Sequence, residues 1–188
     1  MLALLLITLA CAPDDDYALE FRGDPPKNIL MVSIDTLRRD RLGRYGGSDT
    51  MPFLGQLMNE GLTLDDHRSC SNWTYGSTVC AMTGYDGVEL GWVPHADDDA
   101  GVPDEIKVLP DILKEWGFAN ALASANGFVG PPWRKHGSYD SYAVEELADA
   151  ERIIALGLEG LEAVQDTTRW FLHLHFIDPH SGYSPPDA

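Results

Sequence analysis

Basic residues are scarce in this chain of 188: 13 Lys and Arg stand against 30 Asp and Glu, a formal charge of -17. That balance excludes nucleic acid and anionic membrane surfaces as partners, because binding them requires basic side chains to replace counterions. An anionic substrate would also be repelled at long range. It would need a local positive centre, either a bound cation or a few well-placed Arg and His. The apolar run at the start, Met1 to Ala10, is too short to cross a bilayer, which takes about 20 apolar residues. Internal repeats are absent, and the only low-complexity patch is Asp97-Asp98-Asp99, in a loop from Val93 to Asp104 that reads as solvated. What is present is apolar and aromatic content, 44% and 10%, enough to bury a core and to be read as one α/β domain.

Cysteine is nearly absent as well, with three in the chain. Met1 to Ala10 resembles a signal-peptide core, although no Lys or Arg precedes it. Thr8-Leu9-Ala10-Cys11 resembles a bacterial lipobox, in which the Cys is lipidated and becomes the mature N-terminus; Thr in its first position is a departure. A plain cleaved signal is the other reading. Residues 1–11 are thus read as signal and lipobox, 12–26 as an acidic tether, and 27–188 as the folded domain. The protein is expected to be exported, as a periplasmic or cell-surface bacterial lipoprotein that touches the membrane only through its lipid anchor. Cys70 and Cys80 then remain as a pair, either bridged or left as two small buried thiols.

The patterning alternates strand and helix. Asn28 to Ile34 is a short apolar run without alternation, as in a strand buried on both faces of a parallel sheet, and Asp35 closes it. Phe53, Leu54, Leu57 and Met58 recur at helical spacing between Pro52 and Gly61, predicting a helix packed on the sheet. Further helices are predicted over Ser77–Met82, ended by Thr83-Gly84, and over Leu109–Trp116, ended by Gly117. Phe118–Ser124 reads as a strand, Glu145–Val164 as a long amphipathic crossover helix, and Trp170–Ile177 as the strand it feeds. The fold class is α/β, a three-layer sandwich around a mostly parallel sheet, and ligands in such folds bind beyond the carboxyl ends of the strands. Asp35 and Asp178 fall there.

Three groups of residues could carry chemistry. Asp35 at a strand end suits a metal or catalytic role, because the strand fixes its backbone while the carboxylate enters the crevice; a helix N-cap fits it equally well. Thr74 stands just before a short helix, where the dipole favours a nearby anion and a nucleophile would gain, but where a cap is also common. His173 and His175 share one strand face, a place where core or rim histidines are usual. His180, beyond Pro179, lies in a loop able to reach across the site.

These residues also carry a family resemblance. The segment Asn28 to Gly46, containing Ser33-Ile34-Asp35-Thr36-Leu37-Arg38, resembles the opening motif of sulfatases in the alkaline-phosphatase-like superfamily, with Asp35 at the position of a metal ligand. Met51-Pro52-Phe53-Leu54 to Gly61-Leu62 is similar to the second segment, and Thr74 to Gly84 resembles the nucleophile motif that ends in Thr-Gly. Asp178-Pro179-His180, with Tyr183 and Pro185-Pro186, is similar to the substrate-contacting turn. The resemblance implies a metal-dependent hydrolase of small-molecule or glycan sulfate or phosphate esters. Thr74 would be nucleophile and metal ligand, Asp35 a metal ligand, and His180 catalytic and substrate-binding. The implied cofactor is a divalent cation, calcium or magnesium first, zinc or manganese next.

Departures from the family pattern refine this. Sulfatases oxidise a Cys or Ser to formylglycine within a Cys/Ser-x-Pro/Ala-x-Arg frame, whereas Thr74, Gly76 and Thr78 occupy the first, third and fifth positions here. Thr is the nucleophile in phosphoryl-transferring branches, so direct attack by Thr74 is implied and phosphoesters are favoured. Thr36 follows Asp35 where many sulfatases have a second acid, and Ala125-Asn126-Gly127 stands where the family has a Lys-and-His pair. Anion recognition is then left to His180, His175 and Arg38. The family's later Asp-Asn or Asp-His pair does not occur between Thr74 and Ala188, so the chain is expected to hold only part of the metal site and to be inactive alone. The contrasting expectation is a non-catalytic surface lipoprotein that keeps part of the fold as a binding module.

Overall fold

The computed structural model describes residues 28–48, 50–91, 101–130, 138–164 and 169–180. Cys11, the acidic tether, Asp97 to Asp99, Tyr183, Pro185 and Pro186 lie outside the described residues. The elements follow in the order β1 (Ile29–Ile34), α1 (Pro52–Glu60), α2 (Thr74–Thr83), α3 (Leu109–Glu115), β2 (Ala119–Ser124), β3 (Ser141–Val144), α4 (Ala150–Val164) and β4 (Trp170–Phe176). Two short 3-10 turns, Arg39–Arg41 and Gly43–Tyr45, link β1 to α1.

All strand pairs are parallel, in the order β1-β4-β2-β3. Alternation along β2 and β4 divides the buried side chains between two faces. Leu122 and Phe171 point to one face, where Tyr75, Val79 and Met82 of α2 and Leu113 of α3 complete the packing. Ala121, Ala123, Leu172 and Leu174 point to the other, under Ile153, Leu156 and Val164 of α4. Helix layers on both faces of a parallel sheet make the expected three-layer α/β sandwich. The small Ala side chains of β2 let α4 approach closely, and Gly157 sits where a Cβ would collide with the Leu174 side chain. No helix among the described residues is long and apolar enough to cross a membrane.

Several boundaries differ from the sequence reading. The helix predicted from Glu145 begins at Ala150, because residues before it complete β3 and a turn in which Leu147 takes a positive φ of 60°. Asp149 then caps the helix, its Oδ1 accepting the Arg152 N–H at 2.8 Å. β3 itself escaped the pattern, being four residues long with alternating half-buried and exposed positions. α1 forms where expected, but none of its residues is buried, and Phe53 stays 69% exposed, so it is not packed on the sheet. β1 is not buried on both faces among the described residues. It lies at the end of the strand order beyond the cover of α4, which leaves Leu30 and Val32 56% and 50% exposed.

The contrast within α4 gives a stability test. Ile153→Ala, at a fully buried position, should cost about 2–5 kcal/mol in urea unfolding. Leu158→Ala, on the exposed side of the same helix, should change stability by no more than about 0.5 kcal/mol.

Candidate active site

Three strand ends and one helix start meet at a single point. β1 ends at Ile34, and Asp35 extends its pairing one step further by donating its N–H to the Phe176 carbonyl at 2.8 Å. The chain then turns at Thr36, whose φ of 54° is a strained value for a β-branched residue. This sharp turn leaves the Asp35 carboxylate at the sheet's carboxyl edge. It does not cap a helix, since the next helical turn begins at Arg39.

Thr74 is the first residue of α2 rather than its cap; Trp73 occupies the cap position and makes no side-chain cap bond. The Thr74 hydroxyl is therefore free to donate to Oδ2 of Asp35, at 2.9 Å. A helix N-terminus beside an ionised carboxylate is favourable, because the dipole's positive end meets the charge. α2 ends at Gly84, in the left-handed conformation with φ 79°. Its start is anchored by the loop before it: Cys70 is joined to Cys80 in a disulfide, with Cα atoms 6.3 Å apart.

Asn126, just past the end of β2, is a site residue that the sequence reading missed. Its Nδ2 donates to Asp35 Oδ2 at 3.3 Å, while its Oδ1 accepts the Phe128 N–H at 2.9 Å, which sets the direction of the amide. Ser124 braces the same turn through its hydroxyl, which donates to the Asn126 carbonyl and accepts the Asn126 N–H. Phe128 packs on Trp73 at the head of α2, with ring centroids 5.8 Å apart. The signal that could have found Asn126 was its position, a polar residue two steps beyond a buried strand, where the crevice of such folds opens.

β4 supplies the histidines. His173 and His175 are both buried, facing Ser33 on the neighbouring β1, and His175 Nε2 stands 3.7 Å from Asp35 Oδ2. That separation exceeds a hydrogen bond, and the contact is electrostatic. Asp35 is held below its ordinary carboxylate value, first by the His175 ring; burial opposes this, and the Thr74 hydroxyl and the charge of His180 add to it. Burial, and then His175, pushes the His173 imidazole down to about 3. A cavity of about 500 Å³ opens over these groups, lined by Asp35, Thr74, His175 and His180 among others.

The structure thus brings together four of the expected site residues: Asp35, Thr74, His175 and His180. Arg38 is placed elsewhere, its guanidinium held by Asp40 at 2.6 Å on the exposed turn after β1. Asp178, also expected at the crevice, instead points its Oδ1 at the start of α4, 3.2 Å from the Ala150 N–H. Among the described residues no group of three or more His, Cys, Asp or Glu could hold a metal ion. The Asp35 carboxylate and the Thr74 hydroxyl are oxygen donors on one side of the cavity, a pairing that fits one edge of a site for a hard divalent cation.

The Sulfatase family model matches residues 27–188, most of the chain. The chain belongs to the sulfatase family. No curated protein sequence matches it. Among solved structures, this sulfatase-family chain is similar to BT4656 in complex with its substrate D-glucosamine-2-N,6-O-disulfate, with a TM-score of 0.69, 18% identity, and coverage of 86% of this chain and 36% of that one. It is also similar to an alkaline phosphatase superfamily protein from Vibrio parahaemolyticus, with a TM-score of 0.62, 17% identity, and coverage of 86% and 43%. A third similar structure is the C-terminal periplasmic domain of EcEptC from Escherichia coli in complex with Zn, with a TM-score of 0.56, 15% identity, and coverage of 87% and 48%. These similarities show the alkaline-phosphatase-like fold. The chain spans between a third and a half of the length of each of these structures.

The buried His173 makes stability depend on pH. Its folded value of about 3 lies below the ordinary 6.5. Between those values the unfolded chain binds a proton that the folded chain refuses, so stability is full above about 6.5 and falls as pH drops toward about 3. Urea midpoints recorded across that window should fall with acidification in the native chain, and His173→Gln should flatten the slope.

Proposed function

We propose that the chain is the N-terminal part of the catalytic domain of an exported hydrolase of sulfate or phosphate esters, with Thr74 as its nucleophile. The observation that carries this reading is the hydrogen bond from the Thr74 hydroxyl to Asp35 Oδ2, 2.9 Å long, at the head of α2 beside a cavity. Thr74 Oγ1 is aimed by that bond, and the helix N-terminus favours both its alkoxide and the negative charge of a group under attack. Asp35 is a weak base, because its carboxyl is held below the ordinary value; its part is to orient the hydroxyl and to supply negative charge. His180, on the cavity wall, would contact the anionic group and protonate the leaving oxygen. Attack joins Thr74 Oγ1 to phosphorus or sulfur as the alcohol departs, and water then releases the ester from Thr74.

Asp35 and Thr74 would hold a divalent cation, which when bound offsets the charge of the ester and lowers the pKa of the attacking hydroxyl. Calcium, magnesium, manganese and zinc are the candidates, and the EcEptC domain in complex with Zn supports the last of these. A sulfated or phosphorylated small molecule or glycan is the proposed substrate, in keeping with the disulfated glucosamine bound by BT4656. Thr at position 74, without the Pro/Ala and Arg of the formylglycine frame, favours direct attack and tilts the reading toward phosphoesters. Export and a lipid anchor at Cys11 complete the proposal, supported by the lipobox-like Thr8-Leu9-Ala10-Cys11 and by the periplasmic location of the EcEptC domain.

One observation favours a second reading, a surface lipoprotein that retains the fold as a binding module: among the described residues no three or more His, Cys, Asp or Glu side chains come together as a metal site. Calorimetry with the four metals on protein carrying the whole family domain separates the two. A catalytic site binds at least one of them with an affinity that Asp35→Asn abolishes, and a binding module binds none. In protein carrying the whole family domain, Thr74→Ala should lower kcat for aryl phosphate or sulfate esters by about 10³-fold or more, with unchanged circular dichroism. Unaltered turnover would remove Thr74 from the mechanism.

A further inference from the structure

The ester-hydrolase reading leaves one group of buried and half-buried polar side chains without a task. Ser33 on β1 lies between two rings of β4: its Oγ is 2.9 Å from His173 Nε2 and 2.8 Å from His175 Nδ1. Tyr139 Oη stands 3.5 Å from the remaining nitrogen of His173, Nδ1. At the other end, His175 Nε2 is buried, has no hydrogen-bond partner, and faces Asp35 Oδ2 at 3.7 Å. The four residues form a line running from the core to the carboxylate beneath the cavity.

A serine hydroxyl has one proton and two lone pairs. It could accept from both rings, but His175 would then carry its proton on Nδ1 and turn a bare Nε2 toward the Asp35 carboxylate, a costly contact in a buried site. With the hydroxyl donating to one ring and accepting from the other, two registers follow. In the first, His173 Nε2–H donates to Ser33, Ser33 donates to His175 Nδ1, and His175 carries its proton on Nε2, pointing at Asp35. In the second, every proton is reversed, and His175 turns a bare lone pair toward an ionised carboxylate. The second register sets two electron-rich atoms against each other in a site that burial has largely cleared of water, where such a contact is costly. Tyr139 favours the first register too. Burial and the nearby Asp111 hold its phenol protonated; in the first register it donates to the bare His173 Nδ1, whereas in the second it could only accept there and its own buried proton would need another acceptor.

We propose that Ser33 and His173 are positioning residues that lock His175 as its Nε2–H tautomer, making it a hydrogen-bond donor at the floor of the cavity. The role rests on the ester-hydrolase reading for its meaning. A donor fixed beside Asp35 steadies that carboxylate, and it can instead meet an anionic oxygen of a bound ester. His175 thus belongs to anion recognition through a proton held on Nε2 in a fixed direction. The tautomer itself is a property of the chain with neither metal nor substrate bound, so it fails or stands independently of Thr74.

The experiment is long-range proton–nitrogen correlation NMR on ¹⁵N-labelled chain, with EDTA present and at about pH 8, where histidines are neutral. Both His173 and His175 should show a protonated Nε2 and a bare Nδ1. A protonated Nδ1 on His175 overturns the proposal with the native chain alone, whatever any variant does. Ser33→Ala removes the shared hydroxyl with little change in volume, and His175 should lose its single-tautomer pattern for an exchange average of the two forms. Ser33→Thr, which restores the hydroxyl, should restore the pattern. A His175 pattern that Ser33→Ala leaves unchanged overturns the positioning role of Ser33.

Discussion

The pairing of β1 with β4 is the constraint on which the site depends. It joins residues some 140 positions apart, with Ile29 opposite Phe171 and Ser33 opposite His175. Parallel strands point their carboxyl ends the same way, so Asp35, Asn126 and His180 emerge on one edge of the sheet although they are far apart in sequence. A shift of one residue between β1 and β4 would send Ser33 to the opposite face and break its bonds to both histidines. The register is set by packing, since Phe171 and Leu172 each need an apolar neighbourhood on opposite faces.

The two faces of the sheet have different tasks. The face under α4 is almost wholly apolar, built from Ala, Leu and Ile, and it supplies stability. The face toward α2 mixes core residues with buried polar ones: Asn120, Ser124, His173 and His175. Most of these polar atoms have partners, as a low-dielectric interior demands. Asn120, for example, donates to the carbonyls of Pro110 and Ser138 at 2.7 and 2.8 Å. The polar row thickens toward the carboxyl edge, so the rigidity of the core is passed directly to the groups that line the cavity. The disulfide between Cys70 and Cys80 does the same from the other side, by holding the loop before α2 to the helix that presents Thr74.

Much of this was legible in the chain itself. The apolar runs at Ile29–Ile34, Ala119–Ser124 and Trp170–Phe176 are found as strands, and helices form near each amphipathic stretch. The family motifs pointed to Asp35, Thr74 and His180, which line one cavity. The misses have specific causes. β3 is too short for its alternation to stand out. α1 has a helical pattern, but pattern alone does not say what will cover a helix, and Phe53 and Leu57 remain exposed. Arg38 sits in a motif yet pairs with Asp40 two residues on, a local ion pair that no spacing rule anticipates.

The sequence by itself determined the α/β class, the order of the elements apart from β3, the family, and which residue types stand at the strand ends, because periodicity and motif are local properties of the chain. The tertiary structure alone decided which of those residues meet. It made the Thr74 hydroxyl a donor to Asp35 rather than a helix cap, brought Asn126 to the same carboxylate, and joined Ser33 to two histidines through a single proton. Hydrogen bonds across such sequence distances exist only once the register of β1 on β4 and the placement of α2 bring their atoms within about 3 Å. No property of a single segment contains that information.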